Sequence, residues 1–220
     1  MADRTETLKQ SFAQLQRTTK TNASYAWNAS PITTARLAAE TWNVVKNENW
    51  ALSDAGLNGW TRRLWTITEF GQMLGGSGGS GVGYSSPAAV GVALANKAKG
   101  AITVQFQPDG DLMYAPGVMW TAAHHDIPLL RIMFNNRGYH QEMMHLQRMA
   151  SLHGRDAKTA PIGTAITGPD IDYAKLASSM GWWSTGPITD PDDLNSALTR
   201  ALAVVKSGAP ALVDVVCQPR

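Results

Sequence analysis

Two segments of the chain end in residues whose side chains suit the binding of a hard cation. Residues 102–106 form an apolar run typical of a buried strand, and the turn-forming sequence Pro-Asp-Gly-Asp follows at 108–111. A second apolar run, at 129–134, ends at Asn135 and Asn136. A carboxylate such as that of Asp109, an amide oxygen such as that of Asn136, and loop carbonyls are oxygen ligands of the kind that Mg²⁺ accepts. Its coordination is usually completed by water and substrate phosphates.

The elements between these two turns must bring them together. We predict a helix over residues 112–125, so that strand, helix and strand form a βαβ crossover. Because the carboxyl ends of parallel strands meet at one edge, Asp109 and Asn136 should share the crevice where ligands bind in open α/β sheets. The backbone N–H groups of Gly110 and Asp111 lead into the helix and can hold phosphate groups there.

The rest of the chain from residue 31 onward alternates between helices and short strands. The predicted fold class is therefore α/β, with a parallel sheet and helices on both faces. We predict strands at 50–53, 183–188 and 211–216, and helices at 31–45, 87–97, 170–180 and 190–206.

The first 30 residues are polar and precede this pattern. Leu8, Phe12 and Leu15 recur at helical spacing, which predicts a short amphipathic helix followed by a looser stretch to Ser30. We expect a tail or linker here, and the alternative is a segment that clasps another subunit. The predicted division is an N-terminal extension at 1–30 and an α/β domain at 31–220.

Composition narrows the class of protein. The chain has 220 residues, 44% of them hydrophobic and 16% charged, which is typical of a folded globular protein. A formal net charge of +2 predicts no particular attraction to nucleic acid. Cys217 is the single cysteine, which excludes an intrachain disulfide and favours a reducing compartment. We find no run long enough to span a membrane and no secretory signal, so we expect a cytoplasmic protein that does not bind membranes.

The glycine-rich segment 75–83 admits three interpretations. It could be an engineered flexible linker, or a dinucleotide-binding fingerprint in which Gly76, Gly78 and Gly81 satisfy G-x-G-x-x-G. The fingerprint requires a preceding strand, and residues 66–74 make a poor one. The third interpretation is a loop that enters the predicted helix at 87–97.

The Asp-Gly of 109–110, followed at this interval by Asn135-Asn136 and preceded by a glycine-rich segment, resembles a known family. It is similar to the diphosphate-binding domain of thiamine diphosphate enzymes of the decarboxylase and acetolactate synthase superfamily, from about residue 31 to the C-terminus. The resemblance implies thiamine diphosphate and Mg²⁺ as cofactors, with Asp109, Asn136 and the backbone oxygen of Gly138 as metal ligands. The chain departs from the family in one place, because Pro108 replaces the first glycine of Gly-Asp-Gly and removes one N–H.

The same resemblance favours the third interpretation of the glycine-rich segment, because residues 82–88 match the family's loop in order and spacing. It implies that Val82 props the two rings of the cofactor into a bent shape and that the carbonyl of Ser80 binds the pyrimidine amino group. Glu142 falls where some decarboxylases carry a proton-transferring glutamate, and a solvated side chain is the alternative. The implied diphosphate contacts are Leu57 through its backbone, Asn58, Gly110, Asp111, Tyr139 and His140, with helix capping as an alternative role for Asp111.

Full-length members of this superfamily carry a second, pyrimidine-binding domain, and residues 1–30 cannot form it. The resemblance therefore implies a hetero-oligomer with a larger subunit that carries this domain and its activating glutamate. We expect a natural small subunit of a C–C lyase or carboligase, resembling 2-oxo acid decarboxylases, acetolactate synthase or 2-hydroxyacyl-CoA lyases. Its substrate would be a small carbonyl or acyl compound. A cloned fragment, a dinucleotide-binding module and a non-catalytic scaffold subunit are the alternatives.

Overall fold

A single parallel sheet organises the described part of the chain. The computed structural model describes residues 2–53, 56–76, 78–79 and 81–219. Within these residues the strands are β1 (Trp50–Ser53), β2 (Met73–Leu74), β3 (Ile102–Pro108), β4 (Leu130–Asn135), β5 (Trp183–Ile188) and β6 (Ala211–Val216). They pair in parallel in the order β2-β1-β3-β4-β6-β5. The predicted fold class, α/β with a parallel sheet, is confirmed.

Helices connect these strands and follow the predicted alternation. The helices of the described residues are α1 (Ala2–Ala23), α2 (Thr34–Val45), α3 (Trp60–Leu64), α4 (Ser85–Lys97), α5 (Asp109–Leu112), α6 (Val118–His124), α7 (His140–Leu152), α8 (Tyr173–Ser179) and α9 (Leu194–Lys206). Short 3₁₀ turns lie at Leu57–Gly59 and Pro191–Asp193. No described helix combines the length and the apolarity that crossing a bilayer requires.

Two hydrophobic cores cover the two faces of the sheet. The first packs α2 and α9 against β-strand residues such as Phe106 and Ile132. The second packs α4, α6 and α8 against residues such as Met133 and Leu212. Because Ile132 and Met133 are neighbours on β4 and point to opposite faces, the apolar run of that strand is explained by burial on both sides.

The helices α4, α8 and α9 differ from their predicted bounds by up to four residues at an end, and two larger differences have a clear physical reason. α2 does not begin at Ser30-Pro31. Instead Ile32 pairs with Cys217 beside β6, and Thr33 caps the helix by accepting a hydrogen bond from the N–H of Arg36 over 3.1 Å. The helix predicted at 112–125 is divided into α5 and α6 by a turn that contains Pro116, which has no N–H to donate to a continuous helix.

The N-terminal extension forms a longer helix than the sequence pattern predicts. α1 runs without interruption through 22 residues. Leu8, Phe12 and Leu15 form a stripe along it, and each side chain is at least 59% exposed. Thr19 and Ala23, nearer its carboxyl end, are buried. The side chains of Leu8, Phe12 and Leu15 therefore present apolar surface that the rest of the described chain covers only in part.

Candidate functional site

The carboxyl ends of β3 and β4 form one wall of an open cleft. The two strands pair with Pro108 opposite Phe134, so that Asp109 and Asn136 follow neighbouring strands at the same edge of the sheet. The cleft has a volume of about 220 Å³. Its lining residues are Asn58, Val82, Pro108, Asp109, Gly110, Asp111, Phe134, Asn136, Gly138, Tyr139, His140, Gln141, Glu142 and Pro219.

Asp109 is a buried carboxylate held by backbone donors. Its Oδ1 accepts a hydrogen bond from the N–H of Gly110 over 2.9 Å, and its Oδ2 accepts one from the N–H of Gly138 over 3.0 Å. Burial raises the pKa of Asp109 to about 6, and these N–H groups oppose the rise without cancelling it. A cation beside this carboxylate would favour its charged form.

Asn136 carries a buried oxygen that lacks a partner. Its Oδ1 accepts no hydrogen bond from any described residue, although the atom is shielded from solvent. An unsatisfied buried carbonyl is costly, and a metal ion at this position would satisfy it. The backbone oxygen of the same residue lies 2.9 Å from Nε2 of His140, and it accepts a hydrogen bond when Nε2 carries the proton.

The loop that carries Gly138 is clamped by a segment that the sequence analysis left unassigned. The N–H of Tyr139 donates to the carbonyl of Thr164 over 2.7 Å, and the N–H of Ile166 donates to the carbonyl of Arg137 over 2.9 Å. A Cβ at Gly138 would lie 2.8 Å from the carbonyl oxygen of Thr164, so only glycine fits here. The clamp fixes the backbone of the loop that contributes Asn136 and Gly138 to the cleft.

Tyr139 closes over the turn after β3. Its hydroxyl donates to the carbonyl of Gly110 over 3.1 Å. A Cβ at Gly110 would overlap Cε1 of the tyrosine ring, which makes glycine necessary at this close approach. The turn after β3 and the loop after β4 are therefore packed directly against each other.

Asp111 contacts the glycine-rich segment. Its Oδ1 accepts a hydrogen bond from the N–H of Gly83 over 2.6 Å. Its Oδ2 accepts one from Nε2 of Gln107 over 2.8 Å and a short one from the hydroxyl of Ser85. Both oxygens are thus engaged by donors of the protein, although the residue also lines the cleft.

Three further residues that were predicted from the sequence line the same cleft: Asn58, Val82 and Glu142. Asn58 lines it in a left-handed backbone conformation (φ 54°), and the preceding Leu57 buries its side chain in the core. Val82 is half-exposed at the cleft, and Glu142 is an exposed residue in the first turn of α7 that also lines it. Ser80, for which a carbonyl contact was predicted, lies outside the described residues.

Sequence reasoning missed a buried polar network beneath the cleft. Gln105 and Gln107 on β3 and Arg131 on β4 are all buried. Nε of Arg131 donates to Oε1 of Gln105 over 2.8 Å, and Nε2 of Gln105 donates to Oε1 of Gln107 over 2.6 Å. The available signal was the presence of glutamine and arginine inside two otherwise apolar strands, because such residues are seldom buried without partners.

The described residues favour a metal site built from mixed oxygen donors. No three side chains of His, Cys, Asp or Glu within the described ranges are grouped so that they could hold a metal ion. One buried carboxylate (Asp109), one amide oxygen (Asn136) and the loop of Gly138 meet at the cleft instead. That set of donors suits Mg²⁺ better than zinc or copper.

Comparisons with known proteins agree with this geometry. The model of the family described as "Thiamine pyrophosphate enzyme, C-terminal TPP binding domain" matches residues 54–215. A relative from Mycobacterium tuberculosis, provisionally named acetolactate synthase large subunit IlvX, is 29% identical over 138 residues. That match covers 63% of this chain and 25% of the relative.

Solved structures share the fold. A thiamine diphosphate-dependent 4-hydroxybenzoylformate decarboxylase from Rhodococcus jostii RHA1 superposes with a TM-score of 0.71 at 22% identity, covering 86% of this chain and 33% of that one. A benzoylformate decarboxylase from Polynucleobacter necessarius gives 0.67 at 19% identity, covering 87% and 34%. The chain thus spans about a quarter of the curated relative and about a third of these structures.

Proposed function

We propose a function from one premise: the chain belongs to the thiamine pyrophosphate enzyme family, through the C-terminal TPP binding domain of that family. The proposal is that Asp109, the side-chain oxygen of Asn136 and the carbonyl oxygen of Gly138 hold Mg²⁺, which in turn binds the diphosphate of the cofactor. The single observation that carries it is the buried, unpartnered Oδ1 of Asn136 in the same cleft as the buried carboxylate of Asp109.

The electrostatics of the cleft support this assignment. Burial raises the pKa of Asp109, and no basic side chain within the described part of the chain contributes to lowering it. A divalent cation supplies the missing positive charge and would hold the carboxylate ionised. Mg²⁺ keeps open positions for water and phosphate oxygens, which suits a cleft that supplies few protein ligands.

The chemistry then divides between the cofactor and the chain. Bound thiamine diphosphate acts as the electron sink for making or breaking a C–C bond next to a carbonyl. The chain would bind the diphosphate end, support the cofactor rings with Val82 and transfer a proton through Glu142. We therefore propose a lyase or carboligase activity on a small carbonyl or acyl substrate.

We further propose that this activity requires a larger partner subunit carrying the pyrimidine-binding domain and its activating glutamate. Exposed apolar surface supports the idea, because such surface marks protein interfaces. α7 begins at the cleft and has no buried residue among those described. The exposed apolar side chains of α7 are Met144, Leu146, Met149 and Leu152. Those of α1 are Leu8, Phe12 and Leu15.

The dinucleotide alternative receives less support from the geometry. In that fingerprint the third glycine allows a helix to pack closely on the preceding strand. A Cβ at Gly81 would meet nothing within 4 Å, and α4 begins only at Ser85. The two-residue β2 is also a poor counterpart of the strand that the fingerprint requires.

Thermal unfolding with candidate ligands tests the cofactor assignment. We expect stabilisation by thiamine diphosphate together with Mg²⁺, and by neither NAD nor NADP. Ligand at about 100 times its dissociation constant should raise the free energy of unfolding by about 2.7 kcal/mol. Asp109→Asn should lose this effect, whereas Asp156→Asn, a change at an exposed loop residue that does not line the cleft, should keep it. A shift with NAD or NADP alone would favour the dinucleotide module, and no shift even with the partner would favour a scaffold.

Reconstitution tests the requirement for a partner. The purified chain should lack turnover, and activity should appear when a subunit with the pyrimidine-binding domain is added. Full turnover by the chain alone, at dilutions where no partner remains bound, would contradict the proposed heteromer.

A further inference from the structure

A chain of largely buried polar side chains links β4 to the glycine-rich segment. It begins at the guanidinium of Arg131, which donates to Gln105, and continues through Gln107 to the carboxylate of Asp111. Asp111 then accepts from the N–H of Gly83 over 2.6 Å and from the hydroxyl of Ser85. We call these six residues the Asp111 network.

The network contains one buried positive charge and one negative charge. Arg131 is fully buried, and its Nη1 has no hydrogen-bond partner among the described residues. Its guanidinium lies 4.9 Å from the centre of the Trp182 ring. Burial lowers the pKa of Arg131 to about 9, and the negative charge of Asp111 opposes that decrease. The two charges therefore offset each other through the intervening glutamines, at the cost of one fully buried and one partly buried ion.

Gly83 is held from two sides by this arrangement. Its φ of +91° is accessible mainly to glycine, and a Cβ there would lie 2.7 Å from Cβ of Tyr114. On the other side its N–H is bound to Asp111. The neighbouring Val82 lines the cleft, so that the position of Gly83 sets the position of Val82.

We infer that Asp111 is a positioning residue that fixes segment 81–83 at the cofactor cleft, with Arg131 as its buried counter-charge, and that it does not bind the diphosphate directly. One consequence of this inference, tighter binding of thiamine diphosphate, rests on the proposed function. Two facts support it. Each carboxylate oxygen already accepts hydrogen bonds from the protein, and a further negative charge facing a diphosphate would be repelled.

Amide hydrogen exchange on the full chain without cofactor tests the positioning role directly. Asp111→Asn replaces one acceptor oxygen of the carboxylate with an NH₂ group, which is a donor. The hydrogen bonds from Gly83, Ser85 and Gln107 therefore cannot all persist. We expect the amides of segment 81–84 to exchange about tenfold faster, while amides of β6 keep their protection. Ser85→Ala removes one donor from the same carboxylate and should have a smaller effect of the same sign. Asp156→Asn serves as the matched control and should change neither segment.

Unchanged exchange of segment 81–84 in Asp111→Asn would overturn the inference. If that variant does not fold, unchanged exchange in Ser85→Ala would overturn it.

Calorimetry with thiamine diphosphate and Mg²⁺ completes the test. Faster exchange together with weaker cofactor binding supports the inference, and faster exchange with unaltered affinity refutes the consequence for binding. Weaker binding with unaltered exchange would make Asp111 a direct ligand, which also overturns the inference. If the wild-type chain with its partner binds no thiamine diphosphate, the proposed function fails, whereas the exchange experiment still decides the positioning role.

Discussion

The N–H of Gly138 donates to the carboxylate of Asp109 over 3.0 Å, and this bond joins the loop after β4 to the turn after β3. The two residues follow consecutive strands, β3 and β4, that pair in parallel. Their contact brings the amide of Asn136 into the cleft of the buried carboxylate. The candidate metal site thus depends on the backbone N–H of Gly138 as much as on the carboxylate of Asp109.

Gly138→Ala should disrupt this contact. The new methyl group would lie 2.8 Å from the carbonyl oxygen of Thr164, so the loop must move away from its clamp. We expect the free energy of unfolding to fall by about 1–3 kcal/mol, measured by urea denaturation, and Mg²⁺-dependent cofactor affinity to fall with it. Gly117→Ala is the matched control, because a Cβ there meets nothing within 4 Å and φ is −60°. Equal stability of the two variants would show that the clamp does not constrain the loop.

Gly110→Ala should be destabilising for a different reason, because its Cβ would overlap the ring of Tyr139. Removing the ring in a Tyr139→Ala background should relieve the overlap. A double-mutant cycle should therefore give a combined loss of stability smaller than the sum of the two single losses, by about 1 kcal/mol or more. Additive losses would mean that the ring and the turn are not in contact in solution.

Asp214 gives a prediction about pH. This buried residue of β6 accepts hydrogen bonds from Nδ2 of Asn135 over 3.0 Å and from the N–H of Tyr173 over 3.3 Å. Burial nevertheless raises its pKa from the ordinary value of 3.8 to about 6. Between these values the folded chain retains a proton that the unfolded chain has released, so the contribution of Asp214 to stability falls as pH rises from about 4 to about 6.

The measurement for Asp214 is the free energy of unfolding across this pH range in the chain without cofactor. Asp109 has the same direction of shift and contributes in the same sense. Asp214→Asn cannot titrate, so its stability should decline less steeply with pH than that of the wild type. Parallel curves for the two proteins would contradict the raised pKa.

Glu142 tests the proposed proton transfer. The residue lines the cleft from the first turn of α7 and is exposed to solvent. In the assembly with its partner, Glu142→Gln should lower kcat by about 100-fold or more and leave cofactor affinity nearly unchanged. Glu48→Gln, a change at a residue that does not line the cleft, should change neither kcat nor cofactor affinity. A loss of affinity without loss of turnover would assign Glu142 to binding instead.

Local patterns in the sequence were sufficient to predict the framework of the sheet. The strands Trp50–Ser53, Trp183–Ile188 and Ala211–Val216 have the predicted bounds. Trp50–Ser53 and Ala211–Val216 are short, mainly apolar runs bounded by turn residues, and the parallel orientation of the strands follows from the helices between them. The convergence of Asp109 and Asn136 was likewise predictable, because the βαβ connection alone requires it.

Contacts between distant segments were not predictable in this way. The clamp of Thr164 on Tyr139 joins two backbone groups, and the bond from the N–H of Gly83 to the carboxylate of Asp111 involves one side chain only. Residue types alone therefore do not reveal which of these segments meet. The break between α5 and α6 has a local cause instead. Pro116 lacks an N–H to donate within a continuous helix, and two short helices form in place of the predicted long one.

The most direct test of the central claim is calorimetric titration of thiamine diphosphate, with and without Mg²⁺, into wild-type protein and Asn136→Ala in the presence of the partner subunit. We expect wild-type binding only with Mg²⁺, a loss of affinity of about 100-fold or more in Asn136→Ala, and no change in Asn43→Ala, an exposed asparagine of α2. Equal affinity of wild type and Asn136→Ala for the cofactor, at every Mg²⁺ concentration, would contradict the proposed site.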